Sequence, residues 1–259
     1  MALSGMAIFK HLPKTNCGQC GVPTCLAFAM KLAAAGASLD QCPFVSDAAK
    51  AVLAEASAPP IRGVTIGEGE FALKIGEELV MHRHEKTFFN PAGYALLIED
   101  TEDAAAVKAK LVALKAATYE RVAQKLRANL VAVKNISGDA AKFSACVAAV
   151  AGAIEYPLVL MAGPAALEAA LAATPLKRPL LYAATRDNLD AMAALAKKVG
   201  APLAVKATSL DELGELTAKL DGLGVKDLVL DPGSRTLKET HQRRPMVVDN
   251  DDTTTMGRL

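Results

Sequence analysis

Four of the five cysteines in this 259-residue chain fall in one short stretch, "TNCGQCGVPTCLAFAMKLAAAGASLDQCP", residues 15 to 43. Cys17, Cys20, Cys25 and Cys42 read C-x2-C-x4-C-x16-C, with Pro43 directly after the last. Clustered thiolates are soft ligands for iron–sulfur clusters and zinc, and in a reducing compartment they serve that purpose more often than they form disulfides. A zinc ribbon brings two C-x2-C knuckles, and only the first pair here has that form. Asn16, Gly18 and Gly21 interleave with the pair, as expected where backbone must wrap closely around an inorganic core and turn N–H groups toward its sulfides. The spacing ranks an iron–sulfur cluster first, zinc second and a disulfide third. Both [4Fe–4S] and [2Fe–2S] satisfy four thiolates.

The surrounding residues must aim these thiols. Pro23 and Thr24 start a predicted helix, "CLAFAMKLAAA" is rich in strong helix formers, and Gly36 stops it. Cys25 then sits in the first turn, where the helix dipole favours a thiolate. Leu26, Ala29, Met30 and Ala33 recur at helical spacing and read as a small core stripe. Cys42 closes the site after "GASLDQ", and its C-P ending is that of bacterial ferredoxin runs. A module with four ligands and little core is nucleated by what it binds. "AEASAPPIRG" (54 to 63) reads as the linker that ends it, giving a cluster module over 1–58.

The remainder alternates between short apolar runs and Ala, Leu, Lys and Glu-rich helical stretches. "FALKIG" and "ELVMHRH" flank a Gly-Glu turn and suggest an antiparallel hairpin. Six strands follow: "YALLIE" from 94, "NLVAVK" from 129, "YPLVLMAG" from 156, "RPLLYAAT" from 178, "PLAVKAT" from 202 and "DLVLDPG" from 227. Between the first two, "DAAAVKAKLVALKAATYERVAQKL" reads as helix. This is the period of βα units in a parallel sheet buried on both faces, either a (β/α) barrel or an open doubly wound sheet. "RPMVVDN" (244 to 250) offers a short seventh strand, and "DDTTTMGRL" is polar without apolar period.

Other residues have blander roles open to them. His82 and His84, with Glu85 beside them, share one side of a predicted strand. No third ligand is placed by spacing, so a hydrogen-bonded hairpin rim is favoured over a metal site. Asp100, Asn135, Thr185, Lys206 and Asp231 stand at predicted carboxyl ends of strands, where barrel enzymes keep catalytic groups. Polar residues also belong there simply because the sheet meets solvent, and that reading is preferred. Cys146, in "KFSACVAAVAGAI", is expected to be a core thiol. "GEGE" (67 to 70) lacks the dinucleotide fingerprint and reads as a turn. No P-loop or catalytic triad order is found.

Composition narrows the class. With 52% hydrophobic and 22% charged residues the chain can bury a sizeable core, and its net charge of +1 draws it to neither nucleic acid nor an anionic membrane. The first residues lack the pattern of a secretory leader and no apolar run is long enough to span a bilayer, so a cytoplasmic protein is expected.

The stretch "LPKTNCGQCGVPTCLAFAMKLAAAGASLDQCP" closely resembles the N-terminal module of the large (gamma) subunit of the corrinoid iron–sulfur protein of the acetyl-CoA (Wood–Ljungdahl) carbon-fixation pathway. "VMHRHEKTFFNP" (80 to 91), "NLVAVKNISGD" (129 to 139) and "LVLDPGSRTLKET" (228 to 240) are similar to that subunit as well. The resemblance implies a [4Fe–4S] cluster on Cys17, Cys20, Cys25 and Cys42 that passes electrons to cobalamin, restoring Co(I). It also implies a TIM-type (β/α) barrel over 59–240, a small sister subunit as heterodimer partner, and a place between a methyltransferase and CO dehydrogenase/acetyl-CoA synthase. The chain would thus be a component of a corrinoid-dependent methyltransferase system taking methyl groups from a methyl-pterin, with no catalytic residue of its own. The similarity fades at His241. The expectation is that the last barrel strands and the C-terminal cobalamin domain of the family are not represented here, and that 241–259 is an atypical tail. Two other functions compete: an iron–sulfur electron-transfer subunit without corrinoid, which would not share the 80–91 and 228–240 segments, and a freestanding pterin-dependent barrel methyltransferase.

Overall fold

The fold is that of a computed structural model, described over residues 4–33, 37, 39–46, 49–50, 53, 62–77, 90 and 92–240, apart from the side chains of 124 and 125. The chain divides into two compact units, Met1–Pro59 and Pro60–Leu259.

In the first unit, Ser4 caps α1 (Gly5–His11), its hydroxyl accepting the Ala7 N–H at 3.3 Å. Thr24 caps α2 (Cys25–Ala33) in the same way, accepting the Ala27 N–H at 3.1 Å. The two helices approach closely at Gly5, where any Cβ would stand 2.3 Å from the Met30 sulfur. Ile8, Leu12, Val22, Cys25, Phe28, Ala29, Cys42, Val45, Ala49 and Leu53 form one small core. The stripe expected on α2 is therefore corrected: Cys25, Phe28 and Ala29 face inward, while of the four residues named only Ala29 is buried, and Leu26, Met30 and Ala33 are exposed. Both sets satisfy i, i+3, i+4 spacing, and the one carrying the ligand wins because Cys25 packs with Cys42 on the same core.

The second unit opens with β1 (Val64–Ile66) and β2 (Leu73–Ile75), paired antiparallel around the "GEGE" turn. "FALKIG" thus pairs with the strand before it. Its expected partner "ELVMHRH" lies outside the described residues, as do His82, His84, Glu85 and "RPMVVDN". Then follow β3 (Ala95–Glu99), α3 (Ala104–Ala116), β4 (Tyr119–Arg121), β5 (Gln124–Leu126), β6 (Leu130–Lys134), α4 (Ala140–Ala153), β7 (Leu158–Met161), α5 (Pro164–Ala173), β8 (Leu180–Ala184), α6 (Leu189–Val199), β9 (Leu203–Lys206), α7 (Leu210–Gly222) and β10 (Leu228–Asp231). The long helix expected after β3 stops at Ala116. Residues 119–126 instead form a β4–β5 hairpin whose turn, Val122 and Ala123, holds φ of 51° and 58°. Consecutive positive φ values are those of a type I′ turn, reached here without Asn or Gly.

The main sheet is six-stranded and parallel throughout, in the order β3-β6-β7-β8-β9-β10. Each strand lies beside its predecessor in this series, with an α-helix in every connection. This singly wound order is barrel-like and has no point at which strand order reverses. One sheet face, with Val131, Val133, Leu160, Leu181, Leu203, Val205 and Leu230, packs on Phe143, Val147, Leu167, Met192 and Leu220 of the helices. The other face, with Leu130, Ala132, Val159, Leu180, Ala204 and Val229, packs on Val64, Ile66, Leu73 and Ile75 of the β1–β2 hairpin. Burial on both faces explains why the strands read as continuous apolar runs.

Candidate metal centre

The loop from Leu12 to Cys25 is shaped by left-handed backbone at Lys14 (φ 59°), Asn16 (49°), Gly18 (72°) and Gly21 (79°). Asn tolerates this region and Gly adopts it freely, so the interleaved residues fold the chain back around the first thiol pair. The Gly21 N–H closes the turn onto the Gly18 carbonyl at 3.0 Å. Cys17 is exposed and Cys20 half-buried, while Cys25 and Cys42 are buried in the module core. All four thiols are free. Cys42 follows the 3-10 turn Leu39–Gln41, its N–H donating to the Leu39 carbonyl at 3.1 Å.

Electrostatics favour thiolate at Cys17. The Gln19 backbone N–H, then the Thr15 hydroxyl, hold the Cys17 thiol below its usual range, outweighing slight desolvation. Cys25 opens α2. Its sulfur accepts the Asn16 N–H at 3.4 Å, and its own N–H donates to the Asn16 Oδ1 at 2.8 Å. Sequence spacing pointed to Asn16 as a wrapping residue but did not reveal this clasp, nor the part of Thr15.

The structure brings Cys25, Cys42 and, at its edge, Cys20 onto one core and leaves Cys17 on the surface. Among the described residues no three His, Cys, Asp or Glu side chains gather as one ion requires. A tetrahedral zinc with Zn–S near 2.3 Å needs sulfurs roughly 3.8 Å apart, whereas a multi-iron cluster takes one thiolate per iron and accommodates more widely spaced ligands. Four free thiols, two on a loop of left-handed residues, one at a helix start and one after a 3-10 turn, fit the larger group.

The strand-end residues have other duties. Oδ1 of Asp100 accepts the N–H groups of Ile136 at 2.8 Å and Ser137 at 3.0 Å, and its Oδ2 accepts the Ser137 hydroxyl at 2.6 Å. Asn135 braces the same loop by accepting the Gly138 N–H at 2.8 Å. The Thr185 N–H donates to the Asn188 side chain at 2.7 Å. Asp231 accepts the Tyr182 phenol at 2.5 Å, both terminal nitrogens of Arg235 at 3.0 and 2.9 Å, and the Gly233 N–H at 2.9 Å. Lys206 is exposed. Tyr182 and Arg235 were not singled out from sequence, because a tyrosine inside an apolar run and an arginine in a loop carry no spacing signal. Cys146 is a half-buried thiol rather than a fully buried one. It packs on the edge of the core and lines a groove of about 630 Å³ between α3 and α4.

No helix among the described residues is long and apolar enough to cross a membrane. Residues 12–44 match a family of Fe-S cluster segments, and residues 63–248 match the CO dehydrogenase/acetyl-CoA synthase delta subunit family. The corrinoid/iron-sulfur protein large subunit of Moorella thermoacetica is 48% identical over 91% of this chain and 53% of its own length. The acetyl-CoA decarbonylase/synthase complex subunit gamma 1 of Methanosarcina thermophila is 40% identical over 92% of this chain and 53% of its own. Subunit gamma of Methanothermobacter thermautotrophicus is 34% identical over 91% and 52%. The chain spans about half the length of the curated relatives it matches. Similarity to corrinoid iron–sulfur large subunits runs through both the thiol loop and the parallel sheet, and the chain belongs to the CO dehydrogenase/acetyl-CoA synthase delta subunit family.

Proposed function

We propose that Cys17, Cys20, Cys25 and Cys42 hold a [4Fe–4S] cluster within a corrinoid methyl-carrier complex, and that residues 59–240 are the TIM-type barrel that docks it to a small sister subunit. When bound, the cluster supplies low-potential single electrons that return a corrinoid cobalt to Co(I). The observation that carries the reading is the seating of Cys25: a buried thiol on the first turn of a helix, hydrogen-bonded through its sulfur, inside a core that it shares with Cys42. The chain's own residues do the rest. Thr15 and the Gln19 N–H favour the Cys17 thiolate, the left-handed Asn16 turns its N–H onto the Cys25 sulfur, and Phe28 and Ala29 are buried in the core that holds Cys25 and Cys42.

Asp100, Asn135 and Asp231 hold loops together, which supports a scaffold rather than a methyl-transferring barrel. The methyl donor is a pterin bound elsewhere in the assembly, and the acceptor system is CO dehydrogenase/acetyl-CoA synthase in the cytoplasm. Residues 1–58 are the cluster module and 241–259 a tail. Anaerobic purification tests this. The expected product is brown, carries about four irons per chain, and loses them when any one of the four cysteines becomes serine. A colourless protein with one stoichiometric zinc overturns the proposal.

A further inference from the structure

Asn16 and Cys25 are joined twice, in opposite directions. The Asn16 backbone N–H donates to the Cys25 sulfur at 3.4 Å, and the Cys25 backbone N–H donates to the Asn16 Oδ1 at 2.8 Å. The second bond occupies one of the donors that every helix start leaves unpaired, while Thr24 receives the Ala27 N–H two residues further on. The first bond needs the left-handed backbone that Asn16 adopts at φ 49°, a conformation that Asn and Asp visit more readily than other side-chain-bearing residues. Side chain and backbone thus support each other: Oδ1 pins the residue against the helix start, and the pinned residue turns its N–H onto sulfur. A hydrogen bond to an anionic sulfur stabilises its added charge, and such bonds are a recognised control on cluster potential.

We propose that Asn16 is a positioning residue, which fixes the Cys25 thiolate and, through its N–H, raises the reduction potential of the group that the four cysteines hold. The inference rests on the [4Fe–4S] reading above. It places the control of potential in the residue before the first ligand, on a sulfur nine positions away.

The test uses the full chain prepared without oxygen, with iron analysis and a potentiometric titration followed by the paramagnetic signal of the reduced cluster. Wild type is measured first, and absence of iron–sulfide absorption there removes the underlying reading before any variant is made. Asn16→Ala loses Oδ1 and the ease of a left-handed backbone. It should need a lower potential for half-reduction, by at least a tenfold change in the reduced-to-oxidised ratio, about 59 mV for a one-electron couple, with an altered paramagnetic line shape. Asn16→Asp keeps the acceptor and the backbone preference. It should retain about four irons and shift the potential downward through its added charge beside Cys25. An Asn16→Ala chain that assembles no cluster while Asn16→Asp assembles one supports the clasp. Full iron at wild-type potential in Asn16→Ala, wild-type potential in Asn16→Asp, or loss of iron from both variants overturns the proposal.

Discussion

The phenol of Tyr182 on β8 donates to Oδ2 of Asp231 on β10 at 2.5 Å, reaching over the intervening strand β9. Second-neighbour strands lie roughly 9.5 Å apart, a gap that the long tyrosine side chain and the aspartate bridge together across β9. Contacts between alternate strands are the way barrel interiors are filled. Tyr182 pairs with Met161, Met161 with Lys134 and Lys134 with Glu99, while Asp231 pairs with Lys206. The register between β8 and β9 shifts between Leu181 and Ala184, at the position of Tyr182.

Burial, followed by the bond to Asp231 and its charge, pushes the Tyr182 phenol from 10.0 up to about 12. A group whose folded value is raised contributes stability that is present below its unfolded value and lost as pH climbs through the folded one. Wild type should therefore lose stability between pH 10 and 12 beyond what Tyr182→Phe loses. The variant itself should be less stable at neutral pH by about 1–2 kcal/mol, since Asp231 keeps Arg235. Urea titrations at pH 9 and 11.5, with ultraviolet detection of phenolate, check both outcomes.

Burial pushes the Asp100 carboxyl up, but bonds from the Ser137 hydroxyl and the Ile136 and Ser137 N–H groups outweigh it and hold the group below 3.8. A depressed carboxylate stabilises the fold above its unfolded value, and that stability disappears as pH falls through the folded value. Asp100→Asn should flatten the acid limb of a stability profile below about pH 4. Asp100→Ala should cost about 1–3 kcal/mol at pH 7, with iron content unchanged. Denaturation midpoints between pH 2.5 and 7 measure the difference.

Two thiols should differ in reactivity. Burial first, then the charges of Asp100 and Glu102, push the Cys146 thiol up, whereas the Gln19 N–H and Thr15 hydroxyl bring Cys17 down. In chain stripped of metal and kept reduced, iodoacetamide at pH 7.5 should modify Cys17 well before Cys146, because thiolate is the nucleophile. A mass-spectrometric time course decides the order. Cys146→Ser should leave iron content untouched.

Phe28 is 1% exposed and stands at the centre of the cysteine-bearing core. Phe28→Ala removes a large ring from a unit with few others and should cost about 3–5 kcal/mol. The predicted readout is faster iron loss to a chelator. The helical circular-dichroism melt of the second unit should persist, since the two units are separately compact.

Much of this was legible from residues. Apolar runs bounded by Gly, Pro and Asn marked all six sheet strands, because burial on both faces leaves no room for alternation. The start of α2 was legible because Thr24 caps it. Periodicity alone left a barrel and a doubly wound sheet equally open, since strand order is a long-range property. The β4–β5 hairpin escaped notice because Val122 and Ala123 make its turn without turn-forming residues. β2 was matched with the strand after it because both flanking runs suited it. The exposed side of α2 was mistaken for its core side, since two stripes shared the spacing and only packing chose between them.

The hairpin under the sheet has an architectural consequence. Val64, Ile66, Leu73 and Ile75 stopper the amino-terminal end of the sheet, and the Gly67 N–H bolts the stopper to the Arg178 carbonyl at 2.8 Å. Among the described residues this leaves the polar groups of the same face at the opposite, carboxyl end of the strands. Lys134, Tyr182 and Asp231 stand at that end, so substitutions there leave the apolar plug at the far end untouched.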